Sequence, residues 1–293
     1  MDLVPAPIGP TRAWRIQDLM KLSIYTFVKD GLFYDFHVAA MLRHHVPFAD
    51  EIVVNEGYST DGTYEAISDI DPKIKIFRSR WDQSNPDTWH RDFKNDARQR
   101  CTGDWCILLD CDELIPEWEF DRLRARLAST DKPLAQLRFT HFYGNYRVVI
   151  AKLPQIIPLL GTRIHRNVPE VEVWGDGANV RLKGRPVDAS VLAEDVFDVH
   201  HFGMVRRPAR LRQKWRTQAR QHDARNPRWD KVPAFVFNMF PHRWTDRDFL
   251  DNLAIYEGPA IKAVRDDPQE FTRDGLWLYE HLKGDRSIES AEG

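Results

Sequence analysis

Three things are scarce in this 293-residue sequence: long apolar runs, cysteine, and an excess of charge of either sign. No apolar run approaches the roughly 18 residues a membrane span needs. The opening MDLVPAPIGPTRAW also lacks the basic-then-apolar layout of a signal peptide. A cytoplasmic protein is the expectation. The cysteines Cys101, Cys106 and Cys111 are odd in number and are expected at a helix end, in a strand and in a loop. That is neither a disulfide framework nor a zinc site. With 42 basic and 44 acidic side chains the formal net charge is -2, so no global field would hold the chain on nucleic acid or on an anionic bilayer. Any charge effect must be local.

What is present is an α/β alternation. At 42% hydrophobic the chain can bury one large core, or a core plus an appendage of roughly 100 residues. LSIYTFV (22 to 28), EIVVN (51 to 55), IKIFR (74 to 78), WCILLD from Trp105, AQLRFTHFY (135 to 143) and EVEVW (170 to 174) read as strands. Helices are expected from Phe33 to His45, from about Thr63, from about Asp87 as N-cap, and after Pro116. VVIAKLPQIIPLLG fits neither period. Residues 1 to 20, with three prolines, read as an arm, 21 to 205 as one α/β domain, and 206 to 293 as a helical segment open to a ligand or an oligomer contact. From Gly203 to His222 there are seven Lys and Arg and no acid, with Leu211, Trp215 and Ala219 at helical spacing.

Asp110-Cys-Asp112-Glu113 follows the apolar run from Trp105, at the strand end where open α/β sheets bind ligands. Two carboxylates one residue apart can aim oxygens at one hard cation, which in turn can bridge a diphosphate. Taken alone, Asp112 and Glu113 better suit the amino end of the next helix.

Four segments in order resemble family 2 glycosyltransferases over roughly residues 21 to 215. They are Glu56-Gly-Tyr-Ser-Thr-Asp61-Gly62-Thr63, Lys94-Asn95-Asp-Ala-Arg98, Gly103-Asp-Trp-Cys-Ile-Leu-Leu-Asp110-Cys-Asp112-Glu113 and His201-Phe-Gly-Met-Val-Arg206. The resemblance implies a GT-A Rossmann-like mixed sheet flanked by helices, and metal-dependent, inverting transfer of a sugar from a nucleotide-diphosphate sugar, a UDP-sugar first, to an acceptor hydroxyl. It implies that Glu56 reads the base, where the family usually has Asp, and that Asp61 and Gly62 make the turn facing the donor. Lys94, Asn95 and Arg98 would contact the donor, with a solvated basic face as the alternative for Arg98, and Asp110 would face sugar or ribose. Asp112 and His201 would hold Mn2+ or Mg2+, with His200 as a packed neighbour, and Arg206 and Lys214 would grip the diphosphate.

The acceptor implied is a glycan, a lipid-linked molecule or another hydroxyl compound in cell-surface polysaccharide assembly. Weak peripheral attachment at the inner membrane surface and a homo-oligomer are compatible with it. For the base that takes the acceptor proton, Asp176 between Gly175 and Gly177 is the first candidate and Glu172 the second; a plain Asp-Gly turn is the alternative. Glu194-Asp195 is similar to the acid pair that supplies the base in many relatives, but it lies only a few residues before His201. Two rivals stand beside this reading. A non-catalytic nucleotide-sugar-binding or scaffold protein would keep Asp112 and His201 without a base. A sugar nucleotidylyltransferase would want a Gly-rich loop after the first strand, where KDGLFYDF offers only Gly31.

Overall fold

The computed structural model describes residues 20–81, 89–152, 159–175, 177–207, 209–211, 213–214, 252–273 and 275–289. Its organising element is a mixed sheet. β1 (Leu22–Val28), β2 (Glu51–Glu56), β3 (Ile74–Arg78) and β4 (Trp105–Leu108) run parallel in the order β3-β2-β1-β4. β1, β2 and β4 are buried along almost their whole length, which is why their apolar residues run consecutively rather than alternating with exposed ones. Beyond β4 the sheet turns antiparallel through β8 (Leu160–Arg166), β6 (Leu134–Tyr143), β7 (Asn145–Ile150) and β12 (Leu253–Ile255). β11 (Leu192–Met204) lies parallel to β6 and antiparallel to the short β5 (Glu113–Leu114). A separate hairpin, β9 (Val171–Trp174) and β10 (Asn179–Leu182), packs on α3 (Trp89–Arg98).

α1 (Val38–His45) buries Val38, Met41, Leu42 and His45, the i, i+3, i+4, i+7 stripe of a core-facing helix. It starts five residues later than the pattern suggests. Asp30 and Asp35 take positive φ (50° and 53°), which a helix excludes, and the Asp35 carboxylate is held by Arg207. α2 (Thr63–Ser68) starts after Gly62 at φ 88°. α4 (Phe120–Ser129) follows Pro116 and one 3-10 turn, Glu117–Glu119. The expected helix start at Asp87 lies outside the described residues.

The ambiguous stretch around residue 150 contributes β7 and leads to β8, and the segment from 206 onward is not wholly helical. Its described part supplies β12 to the main sheet before α5 (Lys262–Asp266) and α6 (Leu276–Glu289). Backbone pairing with β7 accounts for this: Leu253 to Ile255 meet Ile150 to Val148. The three cysteines are free and buried. No helix among the described residues is long and apolar enough to cross a membrane.

The strand order places a topological switch point between β1 and β4. From β1 the chain winds outward to β2 and β3, then returns to the other side of β1 for β4. Loops leaving the carboxyl ends of β1 and β4 diverge there, and the crevice between them is where such sheets accept ligands.

Candidate functional site

Asp110 and Asp112 follow β4 directly, at that switch point. Oδ1 of Asp110 lies 2.6 Å from Nζ of Lys94, and Oδ2 lies 3.6 Å from Nη2 of Arg163. Lys94 is buried on α3 and also donates to the carbonyl of Gly177 at 2.9 Å. The turn between β9 and β10 is thereby pinned against the acidic cluster. Oδ1 of Asp110 is buried and makes no hydrogen bond of good angle. Burial alone would raise this carboxyl, but Lys94 and Arg163 more than offset it and hold it below the usual carboxylate range.

Asp112 is buried, with Oδ2 accepting from Nη2 of Arg206 at 2.6 Å and lying 3.6 Å from Nζ of Lys214. Its Oδ1 faces Nε2 of His201 at 3.7 Å. Burial works against its charge, yet Lys214, His201 and Arg206 together pull it well below the normal carboxylate range. Glu113 completes the cluster: Nη2 of Arg163 donates to Oε1 at 3.2 Å and the Asp110 amide to Oε2 at 2.8 Å, while burial pushes its carboxyl up. Lys214 is lowered to about 8 by burial and by Arg206 beside it. The three acids thus meet four cations, Lys94, Arg163, Arg206 and Lys214, so the cluster as a whole is cationic.

Arg206 is fully buried, donating to Gly203 O at 2.7 Å and to Tyr34 O, and stacking on Phe36 at 4.0 Å. Both it and Lys214 come from the segment after β11, while Asp112 ends the β4 loop. A residue pair 94 positions apart is therefore joined across the crevice.

A divalent cation at this cluster would meet His201 and Asp112. Burial lowers the His201 imidazole to about 3, so at neutral pH its ring is uncharged and keeps a lone pair. Gly203 leaves the space between them open: a Cβ added there would run into Nε2 of His201 and lie 3.2 Å from Oδ2 of Asp112. One neutral imidazole and one carboxylate facing a gap suit manganese or magnesium. Among the described residues no group of three or more His, Cys, Asp or Glu side chains is placed to hold a metal, so remaining ligands would come from phosphate and water.

The other expected residues make their contacts outside this cluster. Glu56 is buried and accepts from the Tyr58 and Ser59 amides at 3.1 and 2.6 Å and from Nε of Arg78 at 2.6 Å. Its carboxylate shapes the loop, holding Tyr58 at φ 55° with its ring exposed and Arg78 stacked on it at 4.4 Å. Asp61 accepts from Thr63 N at 3.0 Å and Phe33 N at 2.6 Å, tying α2 to the β1 loop. Asn95 bonds both backbone groups of Val173, docking the hairpin on α3. Arg98 is buried at the level of Tyr25 and His165, whose protonation it influences, rather than on a solvated face.

Glu172 is paired within its own hairpin, Oε1 accepting from Nε of Arg181 at 2.9 Å. Asp176 lies outside the described residues; Gly175 and Gly177 on either side have φ of 64° and 92°. Asp195 pairs with Arg126 of α4 and sits six residues before His201 on β11, about 20 Å along a strand. His200 is buried against Phe142 and Tyr256.

Two site residues were not anticipated. Arg163 stands on β8, where the alternation of Arg163 and His165 with Thr162 and Ile164 was the available signal. His141 stands beside His201 on β6, and its signal is visible only once the two strands are known to pair.

No family model and no curated protein matches this chain. Among solved structures it is similar in fold to S. aureus TarS 1-349 in complex with UDP, at 14% identity over 79% of this chain and 75% of that one, with a TM-score of 0.42. It is similar also to TarS 1-349 in complex with UDP-GlcNAc, at 11% identity, 86% and 82% coverage and a TM-score of 0.42. Glucosyl-3-phosphoglycerate synthase from Mycobacterium tuberculosis, in complex with Mg2+ and UDP, is matched at 14% identity over 44% and 49%, with a TM-score of 0.32. Against the longer TarS structure the chain spans 43% of its length.

Proposed function

We propose that this chain is a family 2 glycosyltransferase that binds a nucleotide-diphosphate sugar, a UDP-sugar first, at the β1/β4 switch point and passes the sugar with inversion to an acceptor hydroxyl. The observation that carries this reading is the cationic excess around Asp110 and Asp112. A carboxylate pair alone would repel a diphosphate; here Lys94, Arg163, Arg206 and Lys214 outnumber the acids, and three of these four are almost fully buried, where charge is weakly screened.

In this reading Arg206 and Lys214 exchange part of their hold on Asp112 for phosphate oxygens, and the Asp110 carboxylate, held by Lys94, accepts a sugar or ribose hydroxyl. Asp112 and His201 would hold Mn2+ or Mg2+, which would stabilise the charge of the departing nucleoside diphosphate. Glu56 acts on the base through the loop it shapes. Asp61 keeps that loop against β1, while Asn95 and Arg98 support α3, which carries Lys94. An inverting displacement needs one base on the acceptor side. Asp176 is assigned that role, because the neighbouring Gly177 carbonyl shares the Lys94 ammonium with Asp110. Glu172, paired with Arg181, is the weaker candidate.

The setting proposed is the cytoplasm, with the segment after residue 206 offering its basic stretch to an acceptor or to the inner membrane surface, and a glycan or lipid-linked acceptor in cell-surface polysaccharide assembly. The non-catalytic nucleotide-sugar-binding reading is favoured by one observation, the Glu172–Arg181 pair, which occupies a candidate base. Undiminished turnover in Asp176→Asn would remove Asp176 as the base.

The test is thermal unfolding with UDP, GDP or dTDP, each with and without manganese, on the wild type and on Asp112→Ala. A nucleotide at 100 times its dissociation constant adds about 2.7 kcal/mol. Stabilisation by one nucleotide that depends on Asp112 supports the site; no shift with any of the three refutes the diphosphate reading.

A further inference from the structure

His201 does not reach toward Asp112 unsupported. β6 and β11 run parallel with His141 opposite His201, so the two side chains leave the same face of the sheet as neighbours. Their rings are nearly perpendicular, 84° with centroids 4.9 Å apart, and the two Nδ1 atoms are 2.7 Å from each other. At that distance one nitrogen carries the hydrogen and the other accepts it, since two lone pairs or two N–H groups would repel. His141 is itself fixed: it is 4% exposed, and Phe139 stacks on its ring at 5.6 Å and 19°.

The direction of this bond decides what His201 offers at its other nitrogen. If His141 donates, His201 carries its hydrogen on Nε2, aimed at an Asp112 oxygen 3.7 Å away, too far for a hydrogen bond. If His201 donates, Nε2 is a bare lone pair facing the gap that the missing Cβ of Gly203 leaves open. Imidazoles that ligate metals are held in this second way, by an acceptor on the nitrogen that does not ligate.

We infer that His141 is a positioning residue for the proposed cation site: it accepts the Nδ1–H of His201 and so fixes the tautomer whose Nε2 lone pair faces Asp112. The inference rests on the proposed function for its purpose, but its geometry can be tested without nucleotide or metal.

Long-range 15N NMR of the metal-free protein reads the tautomer directly. His201 is expected as the Nδ1–H form, with Nε2 showing the shift of an unprotonated nitrogen. An Nε2–H form in the wild type overturns the inference, whatever any variant does. Manganese titration followed by electron paramagnetic resonance, at saturating UDP, gives the second readout. His141→Phe, which keeps the ring volume and the stacking, is expected to weaken manganese binding by roughly 10- to 100-fold, the usual cost of losing an outer-shell partner. His141→Asn should recover most of it, because its Oδ1 can accept near the place of Nδ1; His141→Gln, which reaches the Nε2 position, should not. Equal manganese affinity in the wild type and His141→Phe overturns the positioning role. Absence of manganese binding in the wild type refutes the metal reading instead, and the NMR result then decides the tautomer alone.

Discussion

Arg206 offers the sharpest test of how the acidic cluster is held. Its guanidinium is fully buried, and it satisfies one carboxylate and two backbone carbonyls while stacking on Phe36. Arg206→Met keeps much of the apolar stem and removes the charge and the donors. Breaking a buried pair by deleting one partner costs about 3–5 kcal/mol, because the other charge is left behind. Lys214, 3.6 Å from the same oxygen, remains and partly compensates, which places the expected loss near the lower end, about 3 kcal/mol. At ~2–4 °C per kcal/mol for chains of roughly this size, the melting temperature should fall by roughly 6–12 °C.

Removing both charges tells whether the pair is the cause. Asp112→Asn combined with Arg206→Met should be more stable than the sum of the single losses, with a coupling of about 1–3 kcal/mol in urea unfolding. Additive losses, or an Arg206→Met loss under about 1 kcal/mol, would refute the argument that Asp112 depends on this guanidinium.

Acid should weaken the fold through His165. Nδ1 donates to Arg166 O at 2.8 Å, which leaves Nε2 to accept from Tyr25 OH at 3.1 Å, and burial lowers the ring to about 4. The unfolded chain binds the proton below about 6.5, so this contribution is full above that pH and is lost as pH falls toward 4, about 3 kcal/mol in total. His165→Gln should flatten the urea-midpoint profile across that window, and an unchanged profile refutes the assignment. Glu56→Gln leaves Arg78 unpaired and loosens Tyr58; about 1–3 kcal/mol should be lost in urea, with nucleotide affinity falling alongside. Full stability with loss of affinity for one base only would return Glu56 to direct base reading. Glu172→Gln should leave kcat nearly unchanged, whereas a fall of roughly 10² or more, the size of a lost general base, would make Glu172 the base.

Most of the parallel half of the sheet was legible because β1, β2 and β4 are buried on both faces, so each carries a run of apolar residues, while β3 at the edge was marked by Ile74, Ile76 and Phe77. Asp110 and Asp112 were legible for a related reason: polar residues following such a run must stand at its carboxyl end. The antiparallel half was harder to read. β8 and β11 carry Arg163, His165, His200 and His201 among apolar residues, and charged side chains inside a strand look like surface until their partners are known. β12 is three residues long, with its register set by β7.

Local sequence determined the succession of α/β units along the chain, the acids that follow β4, and the turn at Gly62, each fixed by neighbours within a few residues; the switch point where those acids stand follows from strand pairing. Tertiary structure alone decided what those acids touch. Lys94 is 16 residues before Asp110, and Arg163 and Arg206 are 53 and 94 residues past Asp110 and Asp112. It decided also that Glu56 and Asn95 turn inward to backbone groups, and that His141 meets His201. An ionisable group is neutralised by whatever the fold brings within a few ångströms. Strand pairing over tens of residues sets that neighbourhood, and no local pattern records it.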